Sequence, residues 1–254
     1  MQQLINEKLR HIAQEQGINI LYACESGSRA WGFASPDSDY DVRFIYAYPA
    51  DRYLAITPPK DQITLPIDEN LLDVVGWDIR KALGLMRKSN ASLLSWLKSP
   101  IVYANPDGFL AQIKALESEY FAPKAVLYHY LGLTKQIYKN HIEGKTVVNV
   151  KKYFYVLRPL LCARWVVERK TAPPMLFNDL LPLIAHENTL LAEIDALLLV
   201  KKQVKEGQTV DAVPNINAFA VAEMERLKTL AITLPKKQGD ETALNQLFKQ
   251  VILG

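Results

Sequence analysis

The sequence predicts an α/β (α+β) domain with a small mixed sheet, followed by an all-helical domain. Two patterns predict this division. Segments with strand character, bounded by glycine, proline and other turn residues, lie before residue 105 of the 254-residue chain. After residue 105, apolar residues recur mainly three and four positions apart, as on one face of a helix. We therefore expect a first domain at residues 1–120 and a second at residues 121–254.

The first domain is predicted to alternate helices with strands. Apolar residues at positions 4, 5, 9 and 12 mark one face of a first helix, which ends at Gly17. The segment 49–70 contains four prolines and is predicted as a loop. The other predicted elements are strands at 18–25, 39–46, 71–77 and 101–103, tight turns at 26–28 and 36–38, a helix that begins at Asp78, and a short helix at 93–97.

The rest of the chain is predicted to be helical. Pro159 lies inside one of these helical patterns, at 150–169, and predicts a kink there. Residues 203–215 are predicted as an exposed loop. The apolar faces of the predicted helices lie within 109–116, 127–137, 154–165, 190–200, 219–230 and 244–252.

Charge is distributed unevenly between the two predicted domains. Residues 1–120 contain 12 basic and 15 acidic residues, whereas residues 121–254 contain 18 basic and 12 acidic residues. Within residues 124–170 there are ten basic residues and two acidic ones. A basic segment favours a polyanionic partner such as a triphosphate or nucleic acid, although a solvated helix face has the same composition.

The composition excludes several classes of protein. With 49% hydrophobic and 22% charged residues, the chain can form a core and is not disordered. No apolar stretch approaches the ~20 residues of a membrane helix, and the polar N-terminus does not resemble a signal peptide. Cys24 and Cys162 lack metal-site spacing, so we expect no structural zinc, no disulfide-linked partner, no membrane partner and a cytoplasmic location.

The motif with the clearest chemical meaning is Asp39-Tyr40-Asp41 in a predicted strand. Residues two apart share one face of a strand, so the two carboxylates are expected to point the same way. Mg²⁺ or Mn²⁺ between them would offset their repulsion, with substrate phosphates completing the coordination of the metal. Upstream, Gly27 and Ser28 predict a bend at which backbone N–H groups and a hydroxyl can approach phosphate.

The segment ESGSRAWGFASPDSDYDVRF at 25–44 resembles the signature of the polymerase-β-type nucleotidyltransferases, in which Gly-Ser follows a strand and Asp-x-Asp lies on the next one. It is also similar to the YcgL or RlaP family, which is associated with RNA-repair gene clusters. Further blocks at 78–82, 96–100 and 152–160 match the same family. The resemblance implies a nucleotidyltransferase domain followed by a helical domain.

A third carboxylate is expected to complete the metal site, and two residues compete for the role. Asp73 lies between apolar residues of a predicted strand, where it can point at Asp39 and Asp41. Asp78 precedes the first turn of a predicted helix, where it can cap the backbone N–H groups. The polymerase-β-type pattern also places its third acidic residue on a later strand, so we assign Asp73 to the metal site and Asp78 to the cap.

The predicted site therefore has two parts. Asp39, Asp41 and Asp73 are the catalytic, metal-binding residues. On the helix at 150–169, Tyr155 and Arg158 continue a polar stripe that also includes Lys151 and Lys152, although this stripe can equally be a solvated face. The nucleotide-binding residues are predicted to be Gly27, Ser28, Arg29, Ser38, Lys152, Tyr155 and Arg158.

These features predict an enzyme that moves a nucleoside monophosphate from a nucleoside triphosphate to an acceptor hydroxyl. The family name and the basic segment favour an RNA 3′ end as the acceptor. A protein hydroxyl or a small molecule such as an aminoglycoside is an alternative acceptor. A non-catalytic nucleotide- or RNA-binding module is a third alternative, but phosphate binding alone does not require clustered carboxylates.

Overall fold

The computed structural model describes residues 1–203, 207–235 and 239–254. In chain order, its elements are α1 (Gln2–Gln16), β1 (Asn19–Ser26), α2 (Gly27–Trp31), β2 (Tyr40–Ala47), α3 (Ala50–Leu54), β3 (Gln62–Thr64), β4 (Leu72–Asp78), α4 (Ile79–Arg87), α5 (Ala91–Trp96), β5 (Val102–Ala104), α6 (Phe109–Ala115), α7 (Glu117–Tyr120), α8 (Pro123–His141), β6 (Val147–Asn149), α9 (Val150–Arg169), α10 (Asn188–Gln203), β7 (Thr209–Asp211), α11 (Pro214–Leu230) and α12 (Thr242–Leu253). Two 3₁₀ helices lie at Asn178–Ile184 and Ala231–Thr233.

The chain divides into two compact units. The first contains Met1–Ala30, Asp39–Phe121 and residues 239–254, and the second contains Trp31–Ser38 and the described residues of 122–235. The predicted fold class is confirmed, because a mixed five-stranded sheet with helices precedes a largely helical part of the chain. A division into functional domains at residue 120 stays a prediction.

The five-stranded sheet has the order β3-β4-β2-β1-β5. The central strand β2 runs parallel to its neighbour β4, and these two strands carry Asp41 and Asp73. All other neighbouring strands are antiparallel. In β4, buried and half-buried residues alternate along the strand. This period of two places Leu72 and Val74 in the core and Asp73 on the opposite face, together with the half-buried Val75 and Trp77.

The core of the first unit forms between α1 and this sheet. Ile5, Leu9 and Ile12 of α1 are buried in the same cluster as Val42 and Phe44 of β2. Burial of this apolar surface, at about 25 cal/mol per Å², is the main source of stability for such a layer. The amphipathic helix predicted at the N-terminus therefore covers the face of the sheet that the aspartates leave free.

Several short elements differ from the sequence-based prediction. In place of the predicted tight turn at 26–28, β1 passes directly into α2, and the chain bends at Gly27, which has a positive φ. The predicted loop at 49–70 contains α3 and β3. The predicted loop at 203–215 contains β7, which pairs with β6, while residues 204–206 lie outside the described residues. Strands of three residues are too short for an alternating pattern to be recognised.

No helix in the described part of the chain is both long enough and apolar enough to cross a membrane. Cys24 and Cys162 are buried free thiols. Burial raises the pKa of Cys24 to about 12. Cys24 therefore carries a protonated thiol near neutral pH and fills the core as a small apolar side chain.

Asp78 caps α4, as predicted. Its Oδ1 accepts a hydrogen bond from the backbone N–H of Arg80 at 2.8 Å, and its Oδ2 accepts one from the Tyr53 hydroxyl at 2.5 Å. The Asp78 side chain is buried, and this burial raises its pKa. Tyr53 belongs to α3, so its hydrogen bond to Asp78 also connects the segment 49–70, which was predicted as a loop, to the start of α4.

We expect Asp78→Ala to lower the free energy of unfolding by about 2 kcal/mol, because it removes an N-cap worth ~1 kcal/mol and a buried hydrogen bond of similar value. Urea denaturation measures this change. Asp78→Asn keeps one acceptor and should lose less than half as much. Loss of nucleotidyl transfer in Asp78→Ala without loss of stability would instead exchange the roles assigned to Asp73 and Asp78.

Candidate active site

Two aspartates lie side by side on the parallel strands of the first unit. Asp41 of β2 stands opposite Asp73 of β4 in the strand register. Their neighbours Val42 and Val74 are buried, so the two aspartates lie on the face away from that core. The Asp41 and Asp73 side chains are 26% and 28% exposed. The structure therefore brings together two of the three carboxylates that were predicted to form the metal site.

Arg43 links these two carboxylates. Its Nη2 lies 2.7 Å from Oδ1 of Asp41 and 2.7 Å from Oδ2 of Asp73. Its Nη1 donates a further hydrogen bond of 2.7 Å to the backbone carbonyl of Asp73. One guanidinium thus offsets the repulsion between two half-buried carboxylates, through charge-assisted hydrogen bonds. Arg43 therefore engages one carboxylate oxygen of Asp41 and one of Asp73.

Gly27 has no side chain, and the Asp41 carboxylate occupies the space that a side chain at this position would fill. A Cβ atom at Gly27 would lie 1.8 Å from Oδ2 of Asp41, far inside van der Waals contact. Gly27 also has a φ of +61°, in the left-handed region that side chains disfavour. Two independent constraints therefore require glycine here, at the point where β1 passes into α2. The backbone of the Gly27-Ser28 bend lies directly against the carboxylate of Asp41.

Glu25 supports Asp41 from the neighbouring strand. Its Oε1 accepts the backbone N–H of Asp41 at 2.8 Å, and its Oε2 accepts the hydroxyl of Tyr103. Glu25 is fully buried, and burial raises the pKa of its carboxyl group. Because β1 ends at Ser26, the Glu25 side chain takes the place of a further backbone acceptor for the Asp41 N–H.

Asp39 lies immediately before β2, one residue outside the strand that was predicted to contain it. Its backbone carbonyl accepts a hydrogen bond of 3.0 Å from Nε of Arg29. The Arg29 guanidinium also lies 3.7 Å from the ring centroid of Tyr40. In the structure, Arg29 therefore holds the entry to β2, while Ser28 is buried within α2.

The predicted nucleotide-binding residues of the helical part lie in the second unit. Nη2 of Arg158 donates to the carbonyl of Met175 at 3.0 Å, and its guanidinium lies 4.5 Å from the Trp31 ring. The Trp31 ring also meets Tyr155 edge-on, at a centroid separation of 5.4 Å. Nζ of Lys152 lies 5.9 Å from the Tyr155 ring. These residues therefore form one cationic and aromatic cluster, and Arg158 is buried rather than solvated.

Ser38 also lies in the second unit, where its buried Oγ accepts the backbone N–H of Ser35 at 3.0 Å. This hydrogen bond closes the turn that precedes Asp39, as the Pro36-Asp37-Ser38 sequence predicts. The structure thus groups Gly27, Asp41 and Asp73 in the first unit. It groups Lys152, Tyr155 and Arg158 in the second unit.

Comparison with known proteins identifies the family. Residues 1–250 match the model of a family described as "RlaP: RNA repair pathway DNA polymerase beta family". The chain belongs to the RlaP family. It is also 42% identical over 253 residues to the uncharacterized protein YcgL of Bacillus subtilis strain 168, covering 99% of this chain and 96% of that protein.

Several solved structures also match this member of the RlaP family. The crystal structure of a nucleotidyltransferase-like protein from Exiguobacterium sibiricum 255-15 aligns with a TM-score of 0.34 and 10% sequence identity. The alignment covers 97% of this chain and 79% of that chain. The RlaP family itself is a polymerase-β-like nucleotidyltransferase family linked to an RNA repair pathway, so the resemblance inferred from residues 25–44 is confirmed.

Polymerase-β-type nucleotidyltransferases typically use divalent metals, and the carboxylates of this chain can be tested against that requirement. Within residues 1–203, 207–235 and 239–254, no three His, Cys, Asp or Glu side chains form a ready-made metal site. Mg²⁺ requires less, because one or two carboxylates together with substrate phosphates commonly hold it. Asp41 and Asp73 supply two carboxylates where Arg43 already places a cation. The residues therefore fit a metal that binds together with a nucleotide.

Sequence reasoning missed Glu25 and Tyr103 of this RlaP protein. The sequence signal for Glu25 is an acidic residue at the end of the otherwise apolar run Leu21-Tyr22-Ala23-Cys24, directly before the Gly-Ser bend. A charged residue at a buried strand position needs partners, and here they are the Asp41 N–H and the Tyr103 hydroxyl. Tyr103 carries no comparable signal, because a tyrosine in a short strand is ordinary.

We expect Glu25→Ala to lower nucleotidyl transfer about tenfold and the free energy of unfolding by about 2 kcal/mol, because the Asp41 N–H and the Tyr103 hydroxyl lose their buried acceptor. Glu25→Gln keeps an acceptor for Asp41 and should restore most of the activity. Tyr103→Phe removes only the hydroxyl and serves as the control. Equal activity in Glu25→Ala and the wild type, measured as kcat, would show that Glu25 does not position Asp41.

Proposed function

We propose that the protein is a metal-dependent nucleotidyltransferase that moves a nucleoside monophosphate from a nucleoside triphosphate to the 3′ hydroxyl of an RNA. The observation that carries this proposal is the pairing of Asp41 with Asp73 on parallel strands, directly against Gly27. Carboxylates beside a backbone bend provide oxygen ligands for a cation and N–H donors for phosphate in one place. Membership in the RlaP family supports the reaction class.

Asp39, Asp41 and Asp73 are the proposed holders of Mg²⁺ or Mn²⁺. When bound, the metal supplies positive charge that stabilises the reacting phosphoryl group and the leaving pyrophosphate. Arg43 bonds to the carboxylates of Asp41 and Asp73 and holds them together on the same face of the sheet. Glu25 fixes the backbone of Asp41, so the carboxylate needs little reorganisation on binding.

Nucleotide binding is assigned to two groups of residues. In the first unit, the backbone bend at Gly27 and Ser28 is the proposed binding site for the phosphates of the nucleotide. Arg29 follows this bend directly in the sequence and is the proposed cationic contact for them. In the second unit, the cationic and aromatic cluster formed by Lys152, Tyr155 and Arg158 is a proposed nucleotide-binding surface, with Ser38 in the turn before Asp39. Charge reversal at Lys152 tests the second assignment through the dissociation constant of the nucleoside triphosphate.

RNA is proposed as the acceptor because of the charge and the family. The segment 124–170 has ten basic and two acidic residues, and the RlaP family is linked to RNA repair. Incubation of the protein and Mg²⁺ with a nucleoside triphosphate labelled at the α phosphate, in separate pools of RNA, protein and aminoglycoside, tests the acceptor. Label in RNA alone supports the proposal. Label only in protein or in the aminoglycoside would contradict RNA as the acceptor and identify the labelled class as the acceptor instead.

The assignment of the third carboxylate predicts a specific pair of results. We expect Asp73→Asn to lose at least about a hundredfold in transfer rate, because a metal ligand is neutralised. Its melting temperature should change little, since Arg43 keeps its bond to Asp41. Kinetics and thermal melts measure both quantities, and Asp61→Asn is the control, because Asp61 is an exposed carboxylate directly before β3 that also pairs with a cation, Lys81. Full transfer activity in Asp73→Asn would remove this residue from the site.

A further inference from the structure

A groove runs between α8 and α11 in the second unit, outside the proposed active-site residues. Its volume is about 510 Å³. On the α8 side its lining includes Tyr128, Gly132, Lys135 and Lys139, which recur at helical spacing on one face. On the α11 side its lining consists of Val221, Met224, Glu225 and Lys228, which share a face in the same way.

The groove combines apolar and aromatic surface with positive charge. Tyr128 is 50% exposed and Val221 is 45% exposed, so the apolar surface of both side chains is accessible to a ligand in the groove. Lys135 and Lys139 are exposed and stand one helical turn apart on the same helix. Within the described part of the chain, neither lysine forms an ion pair with a carboxylate.

The charge of α8 has a single sign. Residues 123–141 contain three lysines and no aspartate or glutamate. On the opposite wall, Glu225 is paired with Lys228 at 3.4 Å, so these two charges offset each other. Glu143 lies beyond the end of α8 and is the remaining acidic residue of the lining. The wall formed by α8 is therefore complementary to a polyanion.

We infer that this groove binds single-stranded RNA, with phosphates at Lys135 and Lys139 and a base stacked on Tyr128. Lysines that follow a backbone, together with aromatic rings that accept bases of any sequence, are the two elements of single-strand recognition. The inference rests on the proposed function for its choice of RNA. It goes beyond that function by giving the acceptor strand a binding surface away from the carboxylates.

Gly132 allows a sharp test, because a Cβ atom there would meet no atom within 4 Å. Gly132→Glu and Gly132→Lys therefore introduce side chains of similar length and opposite charge at one open position of the groove. Gly84, in the middle of α4, has the same open surroundings and lies in the first unit. Gly84→Glu is thus the matched control for the cost of a new charge at an exposed helical glycine.

The measurement is fluorescence anisotropy of a labelled single-stranded RNA of about 12 nucleotides, a length within the range of known single-strand sites. We expect Gly132→Glu to weaken RNA binding about fivefold, Gly132→Lys to strengthen it, and Gly84→Glu to leave it unchanged. Tyr128→Leu should weaken binding about fivefold through lost stacking. The double variant Lys135→Ala, Lys139→Ala should reduce the magnitude of the negative slope of log association constant against log salt concentration by about 1.4, because each phosphate contact contributes about 0.7.

The assay contains chelator and no nucleoside triphosphate, so its result does not depend on the transfer reaction. RNA binding that is insensitive to both Gly132 variants would overturn the groove assignment while leaving the proposed function intact. Displacement of the RNA by polyglutamate more readily than by unlabelled RNA would assign the groove to acidic peptides and also overturn it. Binding that follows the expected order, without any transfer of label to RNA, would support the groove and contradict the proposed function.

Discussion

Asp41→Ala is expected to lower the rate of nucleotidyl transfer at least about a thousandfold, which corresponds to ~4 kcal/mol of transition-state stabilisation. Asp41 is the carboxylate on which the other features of the first unit converge. Arg43 bonds to its side chain, Glu25 bonds to its backbone N–H, and Gly27 makes room for its Oδ2. Loss of this carboxylate removes one of the proposed metal ligands.

Stability should change far less than activity in this variant. Without Asp41, Arg43 keeps its bonds to the carboxylate and the carbonyl of Asp73. The net effect on the free energy of unfolding is expected to stay within about 1 kcal/mol, as for other partly exposed ion pairs. Asp61→Asn is again the control, and Asp39→Ala should lose activity similarly. Transfer by Asp41→Ala at a tenth of the wild-type rate or more contradicts a metal-binding role for this residue.

Gly27→Ala is expected to abolish transfer through the same carboxylate, without altering any charged residue. The new Cβ would overlap Oδ2 of Asp41, so the carboxylate must turn away from the bend. The positive φ adds a cost of about 1–2 kcal/mol to the free energy of unfolding. Activity should therefore fall at least about a hundredfold, since a displaced ligand is comparable to a missing one.

Gly17→Ala separates these two effects. Gly17 ends α1 with a φ of +60°, almost the same as that of Gly27, but a Cβ at Gly17 would meet nothing within 4 Å. In urea denaturation, Gly17→Ala should lose only the ~1–2 kcal/mol of backbone strain, whereas Gly27→Ala should lose at least as much because its Cβ also displaces Asp41. Only Gly27→Ala should lose activity. Equal activity of the two variants would show that the close approach of Gly27 to Asp41 has no functional consequence.

The sequence predicts the carboxylate face because strand periodicity is a strong physical constraint. Apolar residues on both sides of Asp73 determine which face of β4 enters the core, and so which face carries the aspartate. Asp78 was distinguished from Asp73 by a second constraint. The first turn of a helix has unpaired backbone N–H groups, and a carboxylate directly before the helix can accept hydrogen bonds from them. The same period of two places Arg43 on the face of Asp41, where its guanidinium reaches both carboxylates.

The features that escaped prediction depend on contacts between segments distant in the sequence. The bond between Glu25 and Tyr103 joins residues 78 positions apart, and no local pattern encodes it. The burial of Arg158 against Trp31 and Met175 likewise requires knowledge of tertiary packing. A helical stripe is identified from spacing alone, which groups Lys152, Tyr155 and Arg158 on α9 but does not distinguish a solvated arginine from a buried one.

The most direct test of the proposed chemistry compares two labels in one reaction. The protein is incubated with Mg²⁺, single-stranded RNA and a nucleoside triphosphate labelled at either the α or the γ phosphate. Attack of the RNA hydroxyl on the α phosphorus forms the new ester bond and releases pyrophosphate. We therefore expect the α label to join the RNA, the γ label to remain in pyrophosphate, and both results to require Mg²⁺ and Asp41. Transfer of the γ label to RNA, or no transfer of either label by the intact protein, would contradict the account.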